Sequence, residues 1–279
     1  MLPFIYGFFS AASWGAGDFA GGLASRRTGV YRATFYGEAL GLVLLLVAAI
    51  FIHEKAMPWT SWLLNVAAGG FMAVGITIFY RALAEGQMSV AAPVSALMTA
   101  GLPVIATALI QGFPKPTTLA GFTLALLAVW LVAQGNGSSK KALVRIADVR
   151  MPLIAGLFFG IYFILIHLGS QHAVLLPLIA ERSTASIIIL IMCAFQGGAH
   201  LPEKTVWPLI AMNAIWDVGG NAFYILAGQV GRLDVAAVLS SLYPGFTVIF
   251  AWIILHEKIN RTQFVGILAA LAGIVMMSL

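Results

Sequence analysis

Apolar residues run along the chain in ten stretches of spanning length, about 3–23, 31–52, 62–84, 89–111, 117–134, 152–170, 177–198, 206–228, 234–255 and 261–279. At about 1.5 Å of rise per residue, about 20 residues cross the hydrocarbon core of a bilayer. The pattern therefore predicts an all-α polytopic membrane protein with ten transmembrane helices. The connections are short. The longest has linker composition and divides the chain into 1–135, a basic connecting loop 136–150, and 151–279. Pro93, Pro103 and Pro244 fall inside spans, where each removes a backbone donor and is expected to kink or break its helix.

Polar residues interrupt this pattern at few places. The eighth stretch carries Asn213, Asp217 and Asn221 at i, i+4 and i+8, one face of a helix, with Asp217 near mid-span. A carboxylate at that depth costs roughly 2.5–3.5 kcal/mol on insertion scales, so it is expected to face a bundle interior or a water-filled cavity. Asp18 and Glu38 also lie inside spans, beside the small-xxx-small pairs Gly17/Gly21 and Gly37/Gly41 that mark close helix packing. Each reads either as a cavity group or as the partner of a nearby arginine, Arg26 or Arg27 for Asp18 and Arg32 for Glu38. His167, Glu181 and Arg182 cluster at the ends of the sixth and seventh spans. They read as a gate on the membrane face opposite Asp18 and Glu38. Trp14, Tyr80 and Tyr224 lie within spans, where they either pack the core or wall a cavity and offer cation–π contact to an amine.

Composition sharpens the class. Of 279 residues, 61% are hydrophobic and 9% charged, and mean hydropathy is +0.98. A soluble domain carries about 25% charge. The net charge of +5 belongs to loops facing lipid headgroups, which removes nucleic acid as a partner. Lys55, Lys115, Arg182 and Arg232 sort to the face of the termini, against eleven basic residues on the other face, Arg26, Arg27, Arg32 and Arg81 among them. The positive-inside rule then sets both termini outside and the 136–150 loop in the cytoplasm, in what reads as a bacterial inner membrane.

The chain also repeats. Laying residue n against about n+145 pairs Trp14-Gly15 with Phe159-Gly160, Val90-Ala-Ala with Val235-Ala-Ala, and Gly121 with Gly266; one residue earlier, Phe79-Tyr80 meets Phe223-Tyr224. Each half holds five spans. An odd number of crossings inverts the second half relative to the first, an arrangement transporters use to build a site near mid-membrane.

The second half carries Val235-Ala-Ala-Val-Leu-Ser-Ser-Leu-Tyr-Pro244-Gly-Phe, then Leu255-His-Glu257-Lys258-Ile, then Gly266 and Ala272-Gly273. This resembles the EamA-type repeat of the drug/metabolite transporter superfamily, and Trp14-Gly15 is similar to the start of that family's first repeat. The resemblance implies two inverted five-helix repeats with alternating access to one central cavity, and it implies both termini in the cytoplasm, the opposite of what the charge count gives. The first half departs from it, with Gln111-Gly112-Phe113 where the second has His256-Glu257-Lys258.

These residues point to secondary-active export of a small amine-bearing or zwitterionic metabolite such as an amino acid. Asp217, with Asp18 or Glu38, would bind the ammonium group or exchange a proton. A neutral solute such as a sugar, held by Asn213 and Asn221, is the alternative within transport. A membrane enzyme is poorly supported, because His53-Glu54-Lys55 and His256-Glu257-Lys258 lack the second histidine of a zinc-binding motif. A non-transporting scaffold is the remaining alternative. The sequence calls for no cofactor and no metal, and fusion of two repeats allows a functional monomer.

Overall fold

The computed structural model describes residues 1–85, 88–133, 146–255 and 261–278. Its elements are α1 (Leu2–Thr28), α2 (Val30–Phe51), α3 (Trp59–Glu85), α4 (Met88–Gln111), α5 (Pro116–Ala133), α6 (Ile146–Gly169), α7 (Leu175–Phe195), α8 (Trp207–Val230), α9 (Leu233–Ser240), α10 (Tyr243–Leu255) and α11 (Arg261–Ser278). Eleven helical segments thus make ten spans, because α9 and α10 are two halves of the ninth. That break falls at Ser241-Leu242, just before Pro244, which cannot donate back to the preceding turn. Pro93 and Pro103 behave differently: α4 continues through both. Helix α6 begins at Ile146, so five residues assigned to the connecting loop are helical. Gly29 ends α1 and opens α2 with a φ of 87°, a conformation that suits glycine and lets the chain reverse within one residue. Residues 134–145 of the connecting loop and the His256-Glu257-Lys258 motif lie outside the described residues.

The two halves pack through each other rather than side by side. Helix α1 packs on α8, α9 and α10, while α6 packs on α3 and α4; α2 meets α8 as α7 meets α3. Helices α2 and α7, α4 and α9, and α5 and α11 pack on each other directly. If α1–α5 correspond in order to α6, α7, α8, α9/α10 and α11, every one of these contacts is either its own image or has its image present. Individual glycines confirm the two-fold. A Cβ on Gly15 would meet the backbone of Tyr243, and one on Gly160 would stand 3.3 Å from the carbonyl oxygen of Met98 and 2.8 Å from Leu102. A Cβ on Gly37 would stand 2.5 Å from the Asn213 amide oxygen, and one on Gly69 would meet the backbone of Glu181, which is the same contact seen from the other repeat. Small residues are needed here because apolar side chains gain nothing over lipid, so helices in a membrane hold together through close van der Waals packing.

The termini side of the molecule is closed. Trp14 stacks on Phe163 at 5.4 Å, and Phe163 on Tyr224 at 4.3 Å, filling the space between α1, α6 and α8. Beyond this layer both carboxylate oxygens of Glu54 accept the backbone N–H groups of Val174, Leu175 and Leu176, at 2.8–3.0 Å. The α2–α3 connection thereby caps the N-terminus of α7, joining the first repeat to the second. Asn65 donates to the carbonyl of Gly169 at 3.1 Å, and Arg232 to that of Gly112 at 3.2 Å.

Candidate functional site

Arg182 sits at the centre of the membrane-embedded part, 1% exposed, on the eighth residue of α7. Its two terminal nitrogens reach different helices. One donates to Glu38 of α2 at 3.0 Å, and the other donates to Asp217 of α8. Asp217 accepts a second bond from Asn221 at 3.1 Å, and Asn221 in turn accepts the hydroxyl of Tyr162 at 2.5 Å. Glu181 is buried beside them within electrostatic reach of Glu38, Arg182 and Asp217, and its Oε2 has no hydrogen-bond partner among the described residues. Three carboxyl groups, those of Glu38, Glu181 and Asp217, therefore share one guanidinium, and Asp18 stands within electrostatic reach of Asp217. Ionised together they would leave an excess of negative charge that low-dielectric surroundings do not tolerate.

The expected separation of Asp18 and Glu38 from Glu181 and Arg182 onto opposite faces does not hold. Glu38 is the ninth residue of α2 and Arg182 the eighth of α7. At about 1.5 Å per residue, they lie roughly 10–12 Å in from the N-terminal ends of their helices, which start from opposite faces, and meet near mid-depth. The pair is also separated by 144 positions, the interval of the repeat itself, and joins the two helices that pack on their own image. Glu38 and Arg182 are thus counterparts under the pseudo-two-fold, facing each other across its axis. Arg182 also leaves the loop-charge sum, which becomes three basic residues against eleven.

Above this cluster lies a cavity of about 750 Å³, counting the open space at its mouth. Asp18, Glu38, Asn213, Asp217 and Trp14 all line it. The wall runs from Trp14 and Asp217 to Ser25 and Ala33, so the cavity extends from mid-membrane toward the α1–α2 connection and the basic face. Asn213 is held by donating to the carbonyl of Gly17 at 2.9 Å. That bond fixes α8 against α1 where Gly17 allows close approach. Asp18 has no hydrogen-bond or ion-pair partner among the described residues, and neither Arg26 nor Arg27 pairs with it.

Other residues singled out from the sequence take different places. Asn221 is 2% exposed and is spent holding Asp217 and Tyr162, so it supports the site without lining the cavity. Tyr224 is buried in the aromatic layer and donates to the carbonyl of Phe163 at 3.1 Å. His167 is away from Glu181 and Arg182, packed against Gly228. The side chain of Tyr80 lies outside what is described. Sequence reasoning passed over Thr34, Thr99 and Phe163, which the cavity uses, and Glu54, which closes the other side. A signal for the central pair did exist: at an interval of 144 rather than 145, an acid falls on a base.

Comparison with known proteins agrees with this architecture. The model of the EamA-like transporter family matches residues 1–134 and 149–279. An uncharacterized transporter of Archaeoglobus fulgidus is 23% identical over 249 residues, covering 88% of this chain and 86% of its own. An uncharacterized protein of Methanocaldococcus jannaschii is 21% identical over 129 residues, 46% of this chain but 94% of its own, so its whole length is about that of one repeat. A solved crystal structure superposes with a TM-score of 0.78 over 98% of this chain and 95% of that one. At 16% identity, that likeness shows the fold alone.

Proposed function

The chain belongs to the EamA-like transporter family and is a multi-pass membrane transporter, and we propose that it exports a small amine-bearing or zwitterionic metabolite by proton-coupled alternating access. The observation that carries this reading is the sharing of Arg182 between Glu38 and Asp217 at the floor of the cavity. Asp217 is both a cavity-wall residue and a partner of the buried cation. An ammonium group or a proton arriving at Asp217 removes its need for Arg182. The α7–α8 contact then loosens while the Glu38–Arg182 contact between α2 and α7 remains, and the two repeats can rock about it. Such a site binds proton and cargo at the expense of one another, which is the requirement for exchange. Proton and cargo then drive each other in opposite directions.

The charge bias supports an orientation with both termini outside, so this conformation is open to the cytoplasm and closed outside. The test is flux in proteoliposomes with a panel of amines and amino acids. Asp217→Asn is expected to abolish substrate-dependent and pH-dependent flux while the protein still inserts and elutes as a folded species. Flux at the wild-type rate in that variant refutes the assignment.

A further inference from the structure

Resting on the transport reading above, we infer that the cargo is an organic cation without a carboxylate, an amine with an apolar or aromatic body, whose ammonium is held by Asp18. Among the described residues, every charged side chain that lines the cavity is acidic: Asp18, Glu38 and Asp217. The nearby cation, Arg182, is not in the wall, and it is engaged by two carboxylates.

The neutral donors of the wall are committed as well. Thr34 donates to the carbonyl of Val30 at 2.9 Å and Thr99 to that of Ser95 at 2.8 Å. Tyr162 donates to Asn221 at 2.5 Å and Asn213 to Gly17 at 2.9 Å. The hydroxyls of Ser25 and Tyr243 and the indole N–H of Trp14 keep no hydrogen-bond partner among the described residues, and a hydroxyl accepts from an ammonium as readily as it donates. A bound carboxylate would therefore meet three acids and, among the described wall residues, no cation, with two hydroxyls and one indole N–H as its donors. An ammonium would meet the unpartnered carboxylate of Asp18. The rings of Trp14, Phe79, Phe159, Phe163 and Tyr243 line the same cavity, and aromatic surroundings favour a desolvated cation.

The repeat adds a direction. Exchanging the conformations of the two halves, as alternating access in inverted repeats requires, brings the counterparts of the present wall to line the cavity on the other face. On α1 and α6 the interval is 145, as Gly15 and Gly160 show, and on α2/α7 and α3/α8 it is 144, so Asp18 is replaced by Phe163, Glu38 by Arg182 and Asp217 by Ala73. The cation-binding chemistry thus exists on the basic face only, and the other face presents a guanidinium. A cationic cargo is taken up where the acids are and repelled where the arginine is.

The experiment compares amines with the amino acids from which they differ by one carboxylate: 2-phenylethylamine with phenylalanine, tyramine with tyrosine, 3-methylbutylamine with leucine. Binding to the full-length protein in nanodiscs is measured by titration calorimetry, and flux in proteoliposomes. In at least one pair the amine is expected to bind tenfold tighter or more, a difference of about 1.4 kcal/mol. Asp18→Asn is expected to weaken the amine at least tenfold and to narrow the ratio, whereas Asp18→Glu, which keeps the charge, retains the preference and shows that the site survives substitution. Amino acids that bind as tightly as their amines, or an Asp18→Asn protein with an unchanged ratio, overturn the inference. If amino acids are preferred and Asp217→Asn abolishes their flux, the transport reading stands and this inference alone falls. If no compound of either kind binds or moves, both fall.

Discussion

Arg182 offers the sharpest test of the site, because its removal and the removal of Glu38 are expected to differ in cost although they break the same ion pair. The guanidinium and the Glu38 carboxylate are 1% and 7% exposed, and Asp217, the second acceptor, is 18% exposed. Arg182→Gln leaves both acids without a counter-charge. Removing one partner of a buried pair costs about 3–5 kcal/mol. The two losses share one cation and do not add, and the new amide returns one neutral hydrogen bond of about 1 kcal/mol. The net loss stays near 3–4 kcal/mol. Glu38→Gln behaves otherwise. Its amide oxygen still accepts from Arg182, which keeps Asp217 as its counter-ion, and one surplus negative charge disappears. The loss there is the difference between a charge-assisted and a neutral hydrogen bond, about 1 kcal/mol, offset in part by the relief of repulsion among the remaining acids. At roughly 2–4 °C per kcal/mol for a chain somewhat shorter than this one, Arg182→Gln should unfold about 6–15 °C below the wild type and Glu38→Gln within about 3 °C of it. Tryptophan fluorescence on heating, in one detergent and at one scan rate, measures this; a common rate matters because unfolding of such a protein is read kinetically. An Arg182→Gln protein as stable as Glu38→Gln would refute the shared-cation reasoning.

Two more predictions concern the moving parts. Glu54→Gln weakens the cap on α7 by about 1 kcal/mol, which favours opening of the termini side about fivefold. Ser170, 1% exposed behind that cap, is the reporter: in a Cys193→Ser background, Ser170→Cys should react correspondingly faster with an impermeant maleimide, and an unchanged rate removes Glu54 from the gate. Leu46 and Leu190 are separated by the same 144 positions as the central pair and face outward, at 49% and 42% exposure. Because they are images of each other, spin labels there should hold one distance with and without cargo while labels at Leu46 and Ile215 change theirs; a shift of the first pair would show that α2 and α7 do not form the pivot.

Depth in the membrane was legible in the sequence and direction around each helix was not. Hydropathy alone set the number of spans, and counting residues from a span's edge put Asp217 at mid-membrane, because rise per residue is constant. The same counting misjudged Arg182, which a span taken to start at 177 puts near its end; α7 starts at Leu175, which makes Arg182 its eighth residue. What a neighbour on another helix contributes depends on facing direction. For most of the chain nothing in a single sequence reports this, which is why Tyr162 holding Asn221 and Glu54 capping α7 were out of reach.

An inverted repeat is the exception, since a buried residue on the axis side of a helix that packs against its own image faces its counterpart at the repeat interval. Applied to α2 and α7, that rule needs only the interval, and one residue of slippage decides whether Glu38 meets Ser183 or Arg182. Charge chooses between them: a buried glutamate opposite a serine is left without a counter-ion, whereas opposite an arginine it is paired. The electrostatics of the axis therefore fixes the register of the repeat. The register, one residue longer on α1 and α6 than on α2 and α7, then names the residues, Phe163, Arg182 and Ala73, that stand where Asp18, Glu38 and Asp217 stood when the halves exchange roles. A two-fold scaffold supplies two conformations of nearly equal construction, and a ligand shifts such an equilibrium only by binding the two differently. The difference has to come from positions where the repeats have stopped resembling each other, and in this chain those positions are the charged ones.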